Sequence, residues 1–120
     1  MKIAITSKGK DLNSEVDPRF GRTAWFLVID TESGEYEALD NQQNMSSAQG
    51  AGIQAGEKVA SAGVDAVLTG HCGPKAFRTL NAAGIKIFVG VGGTVEDALN
   101  DFKAGKYNET ERPDVQGHWM

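Results

Sequence analysis

The sequence predicts a single α/β domain built on a mixed five-stranded sheet with helices on both faces. The chain has 120 residues, which is enough for one compact domain and too few for two. Short runs of branched apolar residues, typical of buried strands, are each followed in the second half by an amphipathic helical pattern. Such alternation places the strands parallel to one another. The predicted order is β-β-β-α-β-α-β-α.

The first half of the chain contains three predicted strands. Residues 2–6 form the first strand, and a long loop over residues 7–23 follows it. Residues 24–30 form the second strand. Residues 35–39 alternate polar and apolar side chains, as a half-exposed third strand does. Strands two and three are close enough in sequence to pair as a hairpin.

The second half begins with a predicted helix over residues 48–62, which Ser46 and Gln49 open as a capping box. Three glycines in that helix indicate close approach to a neighbouring element or to a ligand, since each costs about 1 kcal/mol against alanine, and packing is the favoured cause: Gly50, Gly52 and Gly56.

Two further strand–helix units complete the domain. A buried strand over residues 66–68 runs into a helix that begins near Pro74 and ends at Ala83. A strand over residues 85–89 leads through a glycine-rich turn to a last helix that Thr94 caps. We expect residues 1–105 to form the domain and residues 106–120 a flexible C-terminal tail.

Three loops are expected to meet at one edge of the sheet. The loop 7–23, the turn at residues 70–73 and the turn at residues 90–93 each follow a strand of the parallel set. Ligands of such sheets bind at the carboxyl ends of the strands. We therefore expect a binding pocket where these loops converge.

The distribution of charge indicates an anion as the ligand. The formal net charge is −4, which argues against generic binding of nucleic acid. Residues 66–95 nevertheless carry no acidic side chain and three basic ones, Lys75, Arg78 and Lys86. Residues 1–24 also have a basic excess. All three converging loops thus lie in locally positive segments.

The only cysteine, Cys72, follows His71 at the predicted start of a helix. A thiol in that position tends toward thiolate, so we expect Cys72 to be accessible and partly ionised. Cys72 and Arg78 have the spacing of a cysteine phosphatase loop, in which a thiolate attacks phosphate. Pro74 and Lys75 fit that loop poorly. Another hypothesis is that the chain is a regulatory interaction domain that binds no metal–sulfur cluster.

Metal binding is limited by the number of donors. A protein-ligated iron–sulfur cluster usually needs four thiolates, and the chain has one cysteine and two histidines. A preassembled anionic metal–sulfide cluster brings its own ligands and needs only positive charge, N–H donors and apolar walls. The single cysteine is consistent with a reducing cytoplasm, and no apolar run is long enough to span a membrane.

Motifs along most of the chain resemble those of the dinitrogenase iron–molybdenum cofactor biosynthesis family. They are residues 1–5 (MKIAI), 16–22 (VDPRFGR), 50–55 (GAGIQA), 69–77 (TGHCGPKAF), 83–87 (AGIKI) and 93–99 (GTVEDAL). The segment 19–26 (RFGRTAWF) is most similar to the orange-protein branch, whose members hold a molybdenum–copper sulfide cluster. The resemblance implies a ribonuclease-H-like fold and a role in carrying or assembling metal–sulfur clusters, without catalysis.

The chain departs from that family at two positions. Many members have histidine where Arg19 stands, and often another where Gln49 stands. The departure favours holding an anionic cluster by charge.

We expect a molybdenum–copper sulfide or related cluster as cargo, and cluster-donor or acceptor proteins as partners. His71 and Cys72 are the expected metal contacts. The expected binding residues are Lys8, Arg19, Phe20, Gly21, Arg22, His71, Cys72, Gly73, Pro74, Lys75, Gly92, Gly93 and Thr94.

Overall fold

The computed structural model describes residues 1–45 and 50–113. The elements in chain order are β1 (Lys2–Ser7), β2 (Trp25–Asp30), β3 (Tyr36–Asp40), α1 (Gln42–Met45), α2 (Ala51–Ser61), β4 (Ala66–Leu68), α3 (Pro74–Ala82), β5 (Lys86–Phe88) and α4 (Val95–Lys103).

The five strands form one mixed sheet in the order β3-β2-β1-β4-β5. β1 pairs antiparallel with β2, which pairs antiparallel with β3. On its other side β1 pairs parallel with β4, which pairs parallel with β5. The predicted hairpin and the predicted mixed five-stranded sheet are both confirmed.

Alternate residues of each strand fill two cores, one on each face of the sheet. In β1, Ala4 packs with residues of α2 and α3, whereas Ile3 and Ile5 pack with residues of α4. In β2, Phe26 and Val28 face α2 and α3, whereas Leu27 and Ile29 face α4. This period of two is that of a pleated strand, and it confirms helices on both faces.

The segment after β3 contains the short helix α1 (Gln42–Met45), which the sequence did not predict between the third strand and the helix over residues 48–62. Asp40 Oδ1 accepts the Gln42 N–H at 2.8 Å, which starts the helical turn. The buried Asn41 donates through Nδ2 to the Thr23 carbonyl at 2.8 Å and fixes the segment to the loop before β2. The predicted capping box of Ser46 and Gln49 lies outside the described residues.

The three loops expected to converge do meet at the carboxyl ends of the parallel strands. The His71 N–H donates to the Pro18 carbonyl, joining the long loop to the β4–α3 turn. The Val16 N–H donates to the Gly93 carbonyl, which joins the same loop to the β5–α4 turn. The Gly90 N–H donates to the Gly70 carbonyl and closes the set.

The described part of the predicted tail lies against the body of the protein. The Thr110 N–H donates to the Ile87 carbonyl of β5 at 2.7 Å. Tyr107 packs against the core on the α4 face. Residues 106–113 therefore cover the outer edge of β5, and residues 114–120, with His118, lie outside the described residues.

Candidate functional site

Residues 18–20 cross directly over the turn between β4 and α3. The His71 N–H donates to the Pro18 carbonyl at 2.7 Å, and the Phe20 N–H donates to the His71 carbonyl at 3.2 Å. A Cβ on Gly70 would lie 2.7 Å from both the Cα and the carbonyl oxygen of Pro18. The crossing thus requires glycine at position 70, and it sets Arg19 beside His71.

A buried polar network supports this crossing from below. The Thr6 hydroxyl, at the end of β1, donates to the Asp17 carbonyl at 2.7 Å and shares a hydrogen bond of 3.0 Å with the Thr69 hydroxyl. The Asp17 carboxylate accepts the Arg19 N–H at 3.0 Å. The sequence analysis missed these three residues. A polar residue at the end of each of two neighbouring apolar strands is the signal that marks Thr6 and Thr69.

The same crossing lies against the beginnings of α2 and α3. A Cβ on Gly21 would lie 3.0 Å from the Cα and N of Gly52, in the first turn of α2. A Cβ on Gly52 would in turn lie 3.1 Å from the Cβ of Ala76, in the first turn of α3. A Cβ on Gly56 would likewise lie too close to the side chain of Thr79. Close packing therefore accounts for Gly52 and Gly56, as predicted, and it brings the two helix N-termini together.

Both of these helices begin at a glycine N-cap, which has no side chain to accept a hydrogen bond from the first turn. The N-cap residues Gly50 and Gly73 make no side-chain cap hydrogen bond, and neither helix has an acid in its first turn. Gly50 has a φ of 80°, in the left-handed region that suits glycine. Partial positive charge is concentrated at such ends, so this pair of N-termini favours an anion.

Basic side chains surround the same two helix starts. Arg19 and Lys75 are exposed, and neither forms an ion pair with any residue among 1–45 and 50–113. Arg22 and His71 are half-buried. The long-range contact between the loop 18–20 and α3 thus joins the two positive segments that the sequence places far apart.

The N-terminus of α4 is arranged in the opposite way. Its first three N–H groups already have acceptors: Val95 donates to the Ser14 carbonyl, Glu96 to the Leu12 carbonyl, and Asp97 to the Thr94 hydroxyl. Glu96 and Asp97 also make the first turn acidic. The predicted helix cap is confirmed. The cap therefore satisfies the first turn of α4 itself, and the binding role of Gly92, Gly93 and Thr94 stays a prediction.

Cys72 is fully buried, and the expectation of an accessible thiol was wrong. Cys72 precedes the N-cap Gly73, and its Sγ lies 3.8 Å from the Gly73 carbonyl oxygen. The side chain belongs to the apolar cluster that contains Phe20, because residues 18–20 lie over the turn. A phosphatase nucleophile must reach its substrate, and this thiol is enclosed, next to a proline that has no N–H.

The other predicted binding residues have different surroundings. Phe20 is fully buried and packs on Phe26 with ring centroids 5.2 Å apart. Lys8 is exposed and forms a 3.6 Å ion pair with Glu15. Gly21 and Gly73 are buried, whereas Pro74 is half-buried. The residues that the structure brings together with exposed or half-exposed side chains are therefore Arg19, Arg22, His71, Pro74 and Lys75.

Within residues 1–45 and 50–113, no group of three or more histidine, cysteine, aspartate or glutamate side chains is arranged to hold a metal ion. Over the same residues, no helix has both the length and the apolar character needed to cross a bilayer. The described side chains thus provide cations and N–H donors at this site, without a set of metal ligands.

Comparison with known proteins gives a consistent result. A family model described as "Dinitrogenase iron-molybdenum cofactor" matches residues 1–105. An uncharacterized protein of Methanocaldococcus jannaschii is 26% identical over 113 residues, which are 92% of each chain.

Two solved structures are also similar. The apo form of the orange protein from Desulfovibrio gigas is 41% identical and superimposes with a TM-score of 0.93, covering 95% of this chain and 96% of its own. A putative NifB protein from Thermotoga is 38% identical with a TM-score of 0.84, covering 97% and 98%.

Proposed function

Because this chain belongs to the dinitrogenase iron–molybdenum cofactor family, we propose that it is a non-catalytic carrier or assembly protein for a preformed anionic metal–sulfide cluster. The observation that carries the proposal is the pair of adjacent N-termini of α2 and α3, each with a glycine N-cap and no acid in its first turn, beside Arg19 and Lys75. The cargo binds at the carboxyl ends of the parallel strands, where the loop 18–20 crosses the start of α3.

The residues present suit an anion that brings its own ligands. A metal–sulfide cluster presents sulfur atoms, which accept hydrogen bonds from backbone N–H groups. Its negative charge is favoured by Arg19, Arg22 and Lys75 and by the two helix dipoles. Ile53, 38% exposed in the first turn of α2, adds an apolar wall. His71 is the proposed metal contact. Cys72 supports the site by its packing in the core and does not ligate the metal directly.

We propose molybdenum–copper sulfide as the cluster, with an iron–molybdenum-cofactor-like cluster as the related alternative. The 41% identity with the orange protein supports the first. Arg19 and Gln49, where many family members have histidine, also favour retention by charge. We further propose exchange with cluster-donor or acceptor proteins in the cytoplasm, and a ribonuclease-H-like fold, which the central position of β1 supports.

Titration with tetrathiomolybdate, followed by visible absorption and metal analysis, tests this function. We expect saturable binding that weakens as salt is raised, because exposed charges are screened over about 10 Å at 0.1 M ionic strength. Cys72→Ser should retain binding. Binding that is independent of salt and lost only in Cys72→Ser would contradict the proposal and indicate thiolate ligation.

The protein isolated from its native host provides the second arm of the test. We expect it to carry molybdenum and copper in proportion to its visible absorption. Isolation without any metal, together with absence of tetrathiomolybdate binding, would overturn the carrier function.

A further inference from the structure

We propose that Asp17 is a positioning residue, whose side-chain acceptor oxygen places Arg19 at the anion site. The negative charge of Asp17 has the opposite effect, because it disfavours an anion there. This inference rests on the proposed function, since it concerns the same site. Asp17 does not contact the cargo in this proposal. It acts through the backbone turn that begins the crossing over α3.

Asp17 is an acid that is almost completely buried, with 7% of its surface exposed. Its Oδ1 accepts the Arg19 N–H at 3.0 Å, a side-chain turn that aspartate and asparagine both form. Its own N–H donates to the Thr6 carbonyl at 3.0 Å. Through these bonds, Asp17 ties the turn at Arg19 to the end of the central strand β1.

The other side of Arg19 is held by the β4–α3 turn. The Pro18 carbonyl accepts the His71 N–H, and the Phe20 N–H donates to the His71 carbonyl. Pro18 also fills the space above Gly70. Arg19 is therefore fixed from both sides along the chain, although its side chain is exposed. Loss of the Asp17 acceptor removes one of the two supports and widens the range of positions that the guanidinium samples.

The charge of Asp17 works against the site that its geometry supports. A carboxylate two residues from Arg19 lowers the positive potential that an anionic cargo meets. Only the acceptor oxygen is needed for the turn, and the amide oxygen of asparagine provides the same acceptor without the charge. The two substitutions Asp17→Asn and Asp17→Ala therefore separate geometry from charge: the first should preserve or raise the affinity, and the second should lower it.

The experiment measures tetrathiomolybdate affinity for D17N, D17A and R19A, and for each Asp17 variant in the R19A background. We expect D17A and R19A to weaken binding about tenfold each, the equivalent of one charge-assisted hydrogen bond. D17N should bind as tightly as the wild type or more tightly. In the R19A background, D17A should cause no further loss, because Asp17 acts through Arg19.

Asp30 provides a matched control at the opposite end of the sheet. Its Oδ1 accepts the N–H groups of Glu32 at 2.8 Å and Ser33 at 3.2 Å, so it forms the same kind of turn. D30N removes the charge and D30A removes both the charge and the acceptor, far from α3. We expect both to leave affinity within about twofold of the wild type, since the charge lies beyond a Debye length.

Three outcomes would overturn the inference alone: D17A binding as well as the wild type, D17N weakening binding as much as R19A, or D17A losing further affinity in the R19A background. D17N keeps the test decisive if D17A does not fold. Hydrogen exchange of the Arg19 amide, without any anion, should be slow in the wild type and D17N and fast in D17A. Wild-type protein that binds no tetrathiomolybdate would overturn the proposed function itself, and slow exchange of that amide would still report the turn.

Discussion

Helices α3 and α4 both begin at the carboxyl end of a parallel strand, yet their N-termini are built in opposite ways. The first three N–H groups of α4 have acceptors within the protein, and two acids lie in its first turn. Helix α3 begins at a glycine N-cap and has no acid in its first turn, and α2 begins beside it with the same two features. This difference shows that a position at the carboxyl ends of the strands does not by itself turn the N-terminus of a helix into a binding site. What matters is whether acceptors within the protein already bind the N–H groups of the first turn.

Gly70→Ala should have the largest effect, because it displaces the crossing that distinguishes α3 from α4. The added Cβ would lie 2.7 Å from Pro18, and overpacking of this kind costs about 1–3 kcal/mol. We expect a drop of that size in the free energy of unfolding, measured by urea denaturation, and loss of tetrathiomolybdate binding. Gly92→Ala is the control, since nothing lies within 4 Å of its Cβ position and its stability should change by less than about 0.5 kcal/mol. Equal stability of the two variants would show that the crossing is not tightly packed.

Lys75→Glu makes the start of α3 resemble that of α4. An acid in the first turn stabilises a helix by about 0.3–1 kcal/mol, so the free energy of unfolding should be unchanged or slightly raised. Tetrathiomolybdate affinity should fall more than about tenfold, the loss of at least 1.4 kcal/mol, because attraction becomes repulsion. Lys86→Glu makes the same charge change at the start of β5, toward the other end of the sheet, and should leave most of the affinity. Comparable losses in the two variants would mean that net charge, rather than the α3 start, controls binding.

Thr94→Ala tests whether the start of α4 contributes to stability without contributing to anion binding. Removing the hydroxyl that accepts the Asp97 N–H at 3.1 Å should cost about 1 kcal/mol of stability, measured by thermal or urea unfolding. Anion affinity should stay at the wild-type value, because this helix start does not contribute to the site. Thr94→Ser should restore the stability. A loss of affinity in Thr94→Ala would contradict this prediction and show that the turn before α4 takes part in anion binding.

The smallest expected effect concerns the acidic character of α4. Burial raises the pKa of Tyr107 above its usual value, and the neighbouring Asp101 and Asp97 raise it further. Folding thus favours the protonated phenol. Its contribution to stability is complete below the ordinary pKa of about 10 and is lost as the pH rises through the raised value. We expect Asp101→Asn to shift the absorbance titration of Tyr107 toward lower pH, and an unchanged titration would contradict this cause.

Local features of the fold could be read from the sequence, because their residues are neighbours along the chain. Thr94 directly precedes the helical pattern of residues 95–103, and this position predicted the cap that the structure contains. The alternation of polar Glu35 and Glu37 with apolar Tyr36 and Ala38 similarly predicted a half-exposed strand, and its ends moved by one residue. Such signals depend only on helical or strand geometry.

The candidate site depends on contacts between distant parts of the chain, and the sequence analysis was weaker there. The burial of Cys72 follows from residues 18–20, which lie over the turn from more than fifty positions away in the sequence. The charge pattern correctly indicated two positive segments, and it could not show that the start of α4 satisfies its own N–H groups. Asp17 was missed as a support, because its role requires the pairing of its Oδ1 with the Arg19 N–H.

Amide chemical shifts during a tetrathiomolybdate titration provide the most direct test of the difference between the two helix starts. In a ¹H–¹⁵N spectrum, we expect large, saturable changes at the Lys75 and Ala76 amides and in the first turn of α2. The amides of Val95, Glu96 and Asp97 should not move, because their N–H groups already have acceptors within the protein. Saturable shifts at Val95–Asp97 with none at Lys75 and Ala76 would contradict the proposed site.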